Sequence, residues 1–226
     1  MAKPRNEWRH LLLLSSILLL FVITPVVEAF RHGVLIMNVF AAVVLLAGSY
    51  ALSERKRLFA VAVALSGISI IATWILLITQ QPWAAVLSHS CVIVLITYFS
   101  VTILDYVLRG TQITLDKIFA AVCVYLLMGY AWTFVYALID ELQPGSFVVL
   151  TTVPLNSYVA RVLEMRYLSF MTLTTVGYGD VVPHSDAART VAALEAVAGQ
   201  IYLTVLVARL VGLHIVHSHT TSLQKD

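Results

Sequence analysis

The residues of this chain whose types and order point to chemistry lie late, at Thr175-Val176-Gly177-Tyr178-Gly179-Asp180, just ahead of Val181-Val182-Pro183. What this run offers is backbone. A cation that sheds its water to cross a bilayer needs oxygens in place of that shell, and a ring of backbone carbonyls supplies them without fixed charge. Successive carbonyls point at one axis only if residues alternate between ordinary and left-handed dihedrals. Gly177 and Gly179 accept a positive φ at little steric cost. Val176 and Tyr178 are then expected to turn their side chains away from the axis and pack as a cuff, while the Thr175 hydroxyl adds an oxygen at the inner end.

Such a strand must be held by something rigid. The residues before it, about 165–174, contain neither Gly nor Pro and are expected to form a short helix ending at the filter. The C-terminal end of a helix carries partial negative charge, which favours a cation in the space beyond it. Non-helical backbone at membrane depth is tolerated where it lines a water-filled path. Set between two spans, the run is read as such a path rather than as a Gly-rich external turn.

The surrounding chain has the composition of a membrane protein. Of 226 residues, 60% are hydrophobic and 12% charged, against roughly 45–50% and 25% in soluble domains, and mean hydropathy is +0.92. A soluble globule is excluded. Apolar stretches near the roughly twenty residues of a membrane helix occupy 10–29, 33–52, 58–79, 83–108, 115–139 and 187–213. Runs such as Ile17-Leu18-Leu19-Leu20 and Val43-Val44-Leu45-Leu46 do not alternate, which excludes a barrel of tilted strands. The expected fold class is an all-α membrane protein: six transmembrane helices with a re-entrant pore helix and selectivity filter between helices five and six. The expected domains are a four-helix membrane domain, 1–110, and a pore domain, 111–226.

Lys3, Arg5 and Arg9 precede the first span, Arg55, Lys56 and Arg57 separate the second from the third, and Arg109 and Lys117 separate the fourth from the fifth. Basic loops stay inside, so both termini are expected in the cytoplasm and the protein in a plasma membrane, or the cell membrane of a bacterium. Trp74 and Trp83 bracket the uncharged outer loop Thr79-Gln80-Gln81-Pro82, at a level where amphipathic rings favour the interface. A basic start, a Leu-rich run and Val27-Glu28-Ala29 also look like a secretory signal, but the run exceeds the roughly 7–15 residues of a signal core and is read as a retained helix. The long connection, about 140–186, lies outside and carries the filter. The net charge of +2 offers no basic surface for nucleic acid, and Cys91 and Cys123, each inside an apolar run, read as packing residues.

At 170–183 and at Leu194-Glu-Ala-Val-Ala-Gly199-Gln-Ile-Tyr the chain resembles the potassium channel superfamily, whose signature is Thr-Val-Gly-Tyr-Gly with a following Asp. The resemblance covers about 115–213: outer helix, pore helix, filter and inner helix. It implies a homotetramer around one conduction path, which one filter strand per chain also requires. It implies potassium coordinated by the Thr175 hydroxyl and by the carbonyls of Thr175, Val176, Gly177 and Tyr178, with Gly179 completing the strand. Asp180 is then expected at the outer mouth, held by the Tyr167 hydroxyl. Where some members place a Glu four residues before the signature Thr, this chain has Met171, so that carboxyl pairing is missing. Gly199 resembles the hinge glycine of family inner helices, or equally allows close packing against the pore helix.

Leu203, Val207 and Val211 recur at i, i+4 and i+8 and suit either a cavity or hydrophobic gate, or a packing stripe. Glu195 is the acid placed deepest in a span and is expected behind the filter as a hydrogen-bond anchor for the pore helix, ahead of a sensing role. Thr151-Thr152-Val153 leads into Pro154 without glycines and reads as coincidence. His214, His217 and His219 read as a solvated tail rather than a metal site. From Trp83 to Leu104 there is no Lys or Arg, so the fourth helix lacks the charges of a voltage sensor and the leading helices read as a scaffold. The expected function is a voltage-insensitive, passive potassium channel with no cofactor beyond the permeant ion, and no soluble ligand. A potassium transporter component would need four filter segments in one chain; a non-conducting regulatory subunit differs from a channel only in recordings. No nucleophile–base pair or metal-ligand spacing suggests an enzyme.

Overall fold

A computed structural model of the chain describes residues 8–28, 33–53, 55–109, 114–150 and 158–223, with side chains described except at 25–28, 33–38, 210 and 213–223. Lys3, Arg5, Ala29, Arg31 and the Thr151–Pro154 run therefore lie outside the described residues, as do the side chains of Glu28, His214, His217 and His219. The elements run α1 (Arg9–Glu28), α2 (Gly33–Ala51), α3 (Lys56–Thr79), α4 (Pro82–Leu108), α5 (Leu115–Leu142), β1 (Phe147–Val149), α6 (Tyr158–Leu173), β2 (Val181–Pro183) and α7 (Asp186–Leu223).

The breaks between helices have local causes. Gln80 takes a left-handed φ of 49° and its N–H caps α3 at the Leu76 carbonyl, a helix stop that Pro82, at the start of α4, reinforces. The Thr114 hydroxyl accepts from the Lys117 N–H at 3.3 Å to cap α5, with Asp116 in the first turn. The Ser185 hydroxyl does the same for the Ala188 N–H at 3.2 Å at the start of α7.

This is an all-α membrane protein but for one small ribbon. Among the described residues four helices are long and apolar enough to cross a membrane: α3, α4, α5 and the Asp186–Arg209 part of α7. The other two expected spans are helices as well, α1 and α2, whose apolar described stretches are shorter, Arg9–Thr24 and Val39–Ala51.

Three features depart from expectation. The helix expected over about 165–174 begins at Tyr158, about two turns early, because its N-terminal half is tied down by side chains of α4 and α5. The last helix runs on past 213 to Leu223, since Gly212 alone does not break it. The long connection between α5 and α7 holds β1 and β2, paired antiparallel with Phe147 opposite Pro183 and Val149 opposite Val181; the β-branched Val148-Val149 and Val181-Val182 were the available signal.

The largest core cluster joins Leu13 and Ile17 of α1, Phe99 and Ile103 of α4, and Cys123 and Leu127 of α5, with Tyr202 and Leu206 of α7 packed against it. It runs across residue 110 without interruption. Polar ties cross there too: Asp116 accepts from His10 at 2.9 Å and from the Tyr106 hydroxyl at 2.7 Å, and Arg209 of α7 donates to the terminal carbonyls of α4 at Val107 and Leu108.

Candidate functional site

Helix α6 is the element that positions the Thr175–Asp180 run, and it is held along its whole length. At its start Tyr158 shares a hydrogen bond with the buried His89 of α4 at 2.7 Å, and Arg161 donates to Asp140 of α5 at 2.6 Å. In the middle Gly129 of α5 lets α6 approach: a Cβ there would lie 2.8 Å from the Phe170 ring. The Ser169 hydroxyl lies 2.7 Å from the Gly129 carbonyl. At the end, the Tyr125 hydroxyl donates to the Leu173 carbonyl at 3.1 Å.

Glu195 of α7 closes this contact from the other side. It is fully buried, 0% exposed, accepts a hydrogen bond from the Tyr136 hydroxyl of α5, and lies 2.6 Å from Ser169 Oγ. Ser169 carries one hydroxyl hydrogen but has two oxygens within reach, the Gly129 carbonyl and Glu195 Oε1. The carbonyl can only accept. The Thr133 hydroxyl also donates to the Gly129 carbonyl, at 2.8 Å, so the Ser169 hydrogen can go to Glu195 with no acceptor left bare. One buried acid thus joins α5, α6 and α7 behind the strand.

The strand leaves α6 through a tight exit. Thr175 N–H donates to the Thr172 carbonyl at 3.0 Å, and the N–H groups of Val176 and Gly177 both reach the Met171 carbonyl, at 2.9 and 3.1 Å. Positive φ then falls on every second residue: 61° at Thr175, 55° at Gly177 and 80° at Gly179. The two glycines follow the expected alternation. Thr175 extends it to a β-branched residue, for which that region is a steric outlier.

The outer end is clamped. Asp180 accepts from the Tyr167 hydroxyl at 2.8 Å and from the Val181 N–H at 3.1 Å, while its carbonyl receives the Leu150 N–H at 2.8 Å. The bond to Asp180 pushes the Tyr167 phenol up to about 12, so it stays a donor. The ribbon continues the clamp, and Val181 packs with Tyr136, Phe147, Met165 and Leu168.

Among the described residues of one chain, none covers the strand on its other side. Val176 is 49% and Tyr178 73% exposed, so the expected cuff does not form against the chain's own residues. Gly199 sits where α7 meets the end of α6: a Cβ would come within 2.8 Å of the Leu173 side chain and 3.2 Å of its carbonyl. Of the two readings of Gly199, close packing is the one with a contact behind it. Leu203 is half-buried, while Val207 and Val211 are exposed beside a longer apolar stripe, Leu194, Val197, Ile201 and Val205.

Comparison with known proteins fits this geometry. The family described as Ion channel matches residues 145–213, from the turn before β1 to well down α7. Protein LctB of Bacillus caldotenax is 35% identical over 103 residues, covering 44% of this chain and 74% of that protein. The chain belongs to the ion channel family. No solved structure matches it. The channel's supporting residues that sequence reasoning passed over are Ser169, Tyr136, His89 and Arg166. Only Arg166, a charge within an otherwise apolar helix face, left a signal to follow. Among the described residues no group of His, Cys, Asp or Glu forms a metal site.

Proposed function

We propose that this channel is potassium-selective and that four identical chains surround one conduction path. The observation that carries the reading is the alternation of positive φ at Thr175, Gly177 and Gly179 within a Thr-Val-Gly-Tyr-Gly run at the C-terminal end of a helix, the arrangement that lets successive carbonyls face one axis. Potassium is then bound by the Thr175 hydroxyl and by the carbonyls of Thr175, Val176, Gly177 and Tyr178, with Asp180 at the outer mouth and no other cofactor. The uncovered Val176, Tyr178 and α7 stripe support the fourfold assembly, since a neighbouring copy would cover them. Leu203, Val207 and Val211 then line the cavity or its gate.

The six helices α1, α2, α3, α4, α5 and α7 cross a cell membrane with both termini inside, and α6 with its strand re-enters from outside. Residues 1–110 brace the pore and do not sense voltage, because α4 carries no Lys or Arg and its buried His89 is engaged with Tyr158. Purified protein in planar bilayers tests the selectivity: reversal potentials in mixed potassium and sodium track the potassium gradient, and barium, similar in radius but doubly charged, blocks near Thr175. Equal permeability to the two ions would overturn the proposal.

A further inference from the structure

Between α1, α2, α3, α4, α5 and α6 lies a cavity of about 420 Å³, within the 300–1,000 Å³ range of small-ligand sites. Most of its wall is apolar, with Ile17 of α1 and Val92, Ile96 and Phe99 of α4 prominent. A dry, empty cavity would be apolar throughout; this one is not. Ser69, 2% exposed, lines it with a buried hydroxyl that has no hydrogen-bond partner among the described residues, and Tyr130 turns its hydroxyl toward Arg166. Arg166 of α6 also stands in its wall.

Arg166 differs from Arg161 and Arg109. Arg161 has Asp140 and Arg109 has Asp105, but among the described residues no ion pair joins Arg166 to a carboxylate. Its guanidinium donates to the Thr24 hydroxyl at 2.9 Å and lies 4.9 Å over the Phe21 ring, a cation–π contact that leaves the formal charge in place. With the Tyr130 hydroxyl also in reach, several of its five N–H donors still have no partner among the described residues. A cation among apolar walls at membrane depth is costly unless an anion meets it.

We propose that this cavity binds an acyl chain bearing an anionic head, a carboxylate or a phosphate. The head is held by Arg166 beside Thr24, and the chain lies along Ile17, Val92, Ile96 and Phe99. The site is separate from the conduction path, and its occupancy can be read without asking whether the pore conducts.

Trp74 lines the same cavity and serves as the reporter. The full chain in detergent micelles is titrated with a brominated fatty acid, its methyl ester, and a brominated phosphatidylglycerol, each a contact quencher of indole fluorescence. The expected result is saturable quenching by the acid, a linear partitioning response to the ester, and loss of the saturable part in Trp74→Phe. Arg166→Gln raises the half-saturating concentration at least about tenfold, as removal of one partner of a buried charge pair does. Saturable quenching by phosphatidylglycerol rather than by the acid assigns the same chemistry to a lipid headgroup. Val92→Phe, which narrows the cavity and leaves Arg166 alone, also abolishes saturation and decides the matter should Arg166→Gln fail to assemble. Identical curves for acid and ester, or saturation that survives Val92→Phe, would overturn the proposal.

Discussion

Thr175 holds a φ of 61° although its branched Cβ opposes that region, and the surroundings show how it is kept there: its own N–H and those of the next two residues are bound to carbonyls of the last turn of α6. Gly177 and Gly179 reach the same region without strain, and a Cβ at either would meet nothing within 4 Å of the chain. Any penalty for alanine there is conformational, about 1–2 kcal/mol per residue. Tyr167 is the residue whose ionisation is most informative. Its bond to Asp180 raises the phenol from an ordinary value near 10 to about 12, so the stabilisation is complete below about pH 10 and is lost as pH rises through about 12. The difference in phenolate absorbance between wild type and Tyr167→Phe should therefore lie near pH 12, and Asp180→Asn should move that difference back toward 10. A wild-type Tyr167 titrating at 10 would mean that the bond does not form.

At the scale of elements, α6 is fixed by close contacts with α5 and α7, and two substitutions separate the means. Gly199→Ala drives a Cβ against Leu173, and overpacking of this kind costs about 1–3 kcal/mol, read as a lower melting temperature of the solubilised protein. Leu173→Ala in the same chain should recover part of the loss, because the nearest clash is with the Leu173 side chain. A pure hinge role would leave melting unchanged. For Glu195 the order of variants is diagnostic. Glutamine keeps a polar partner for Ser169 and Tyr136, whereas alanine takes the acceptor from the buried Tyr136 hydroxyl, at about 1–3 kcal/mol, while Ser169 retains the Gly129 carbonyl. Glu195→Gln should melt close to wild type and Glu195→Ala well below it; the reverse order would show that the hydrogen bonds of Glu195 do not hold α6 in place.

For the whole molecule, the proposed fourfold ring makes the filter a shared structure. Mixing wild type with Gly177→Ala at equal amounts leaves roughly one-sixteenth of rings fully wild type, by binomial counting over four positions, so potassium current should fall far below half. A residual current near one half would mean that each chain conducts alone. Steep voltage gating requires three or four charges per subunit, each worth about 2.3 kcal/mol per 100 mV. With no fixed positive charge along α4 and His89 packed beneath α6, open probability in symmetric potassium should vary only weakly from about −100 to +100 mV. A sigmoid needing roughly ten or more gating charges per ring would place a sensor in helices read here as a brace.

Much of this was legible in the sequence because it depends on short-range order. The apolar runs define helices, a Gly-free and Pro-free stretch before Thr175 defines a helix that ends there, and glycines two apart mark the backbone alternation. The Tyr167 and Asp180 pair is expected from the resemblance to potassium channels, not from local order. Tertiary structure alone decided what meets across the chain. Arg166 reaches Thr24 over 142 residues, and Glu195 finds Tyr136 over 59 and Ser169 over 26. The largest core draws side chains from α1, α4, α5 and α7, which lie far apart along the chain. Periodicity reports which face of a helix is apolar, but not which helix will cover it. The same limit explains Thr175: a branched residue carries no local preference for positive φ, and only the carbonyls folded back from α6 hold it there.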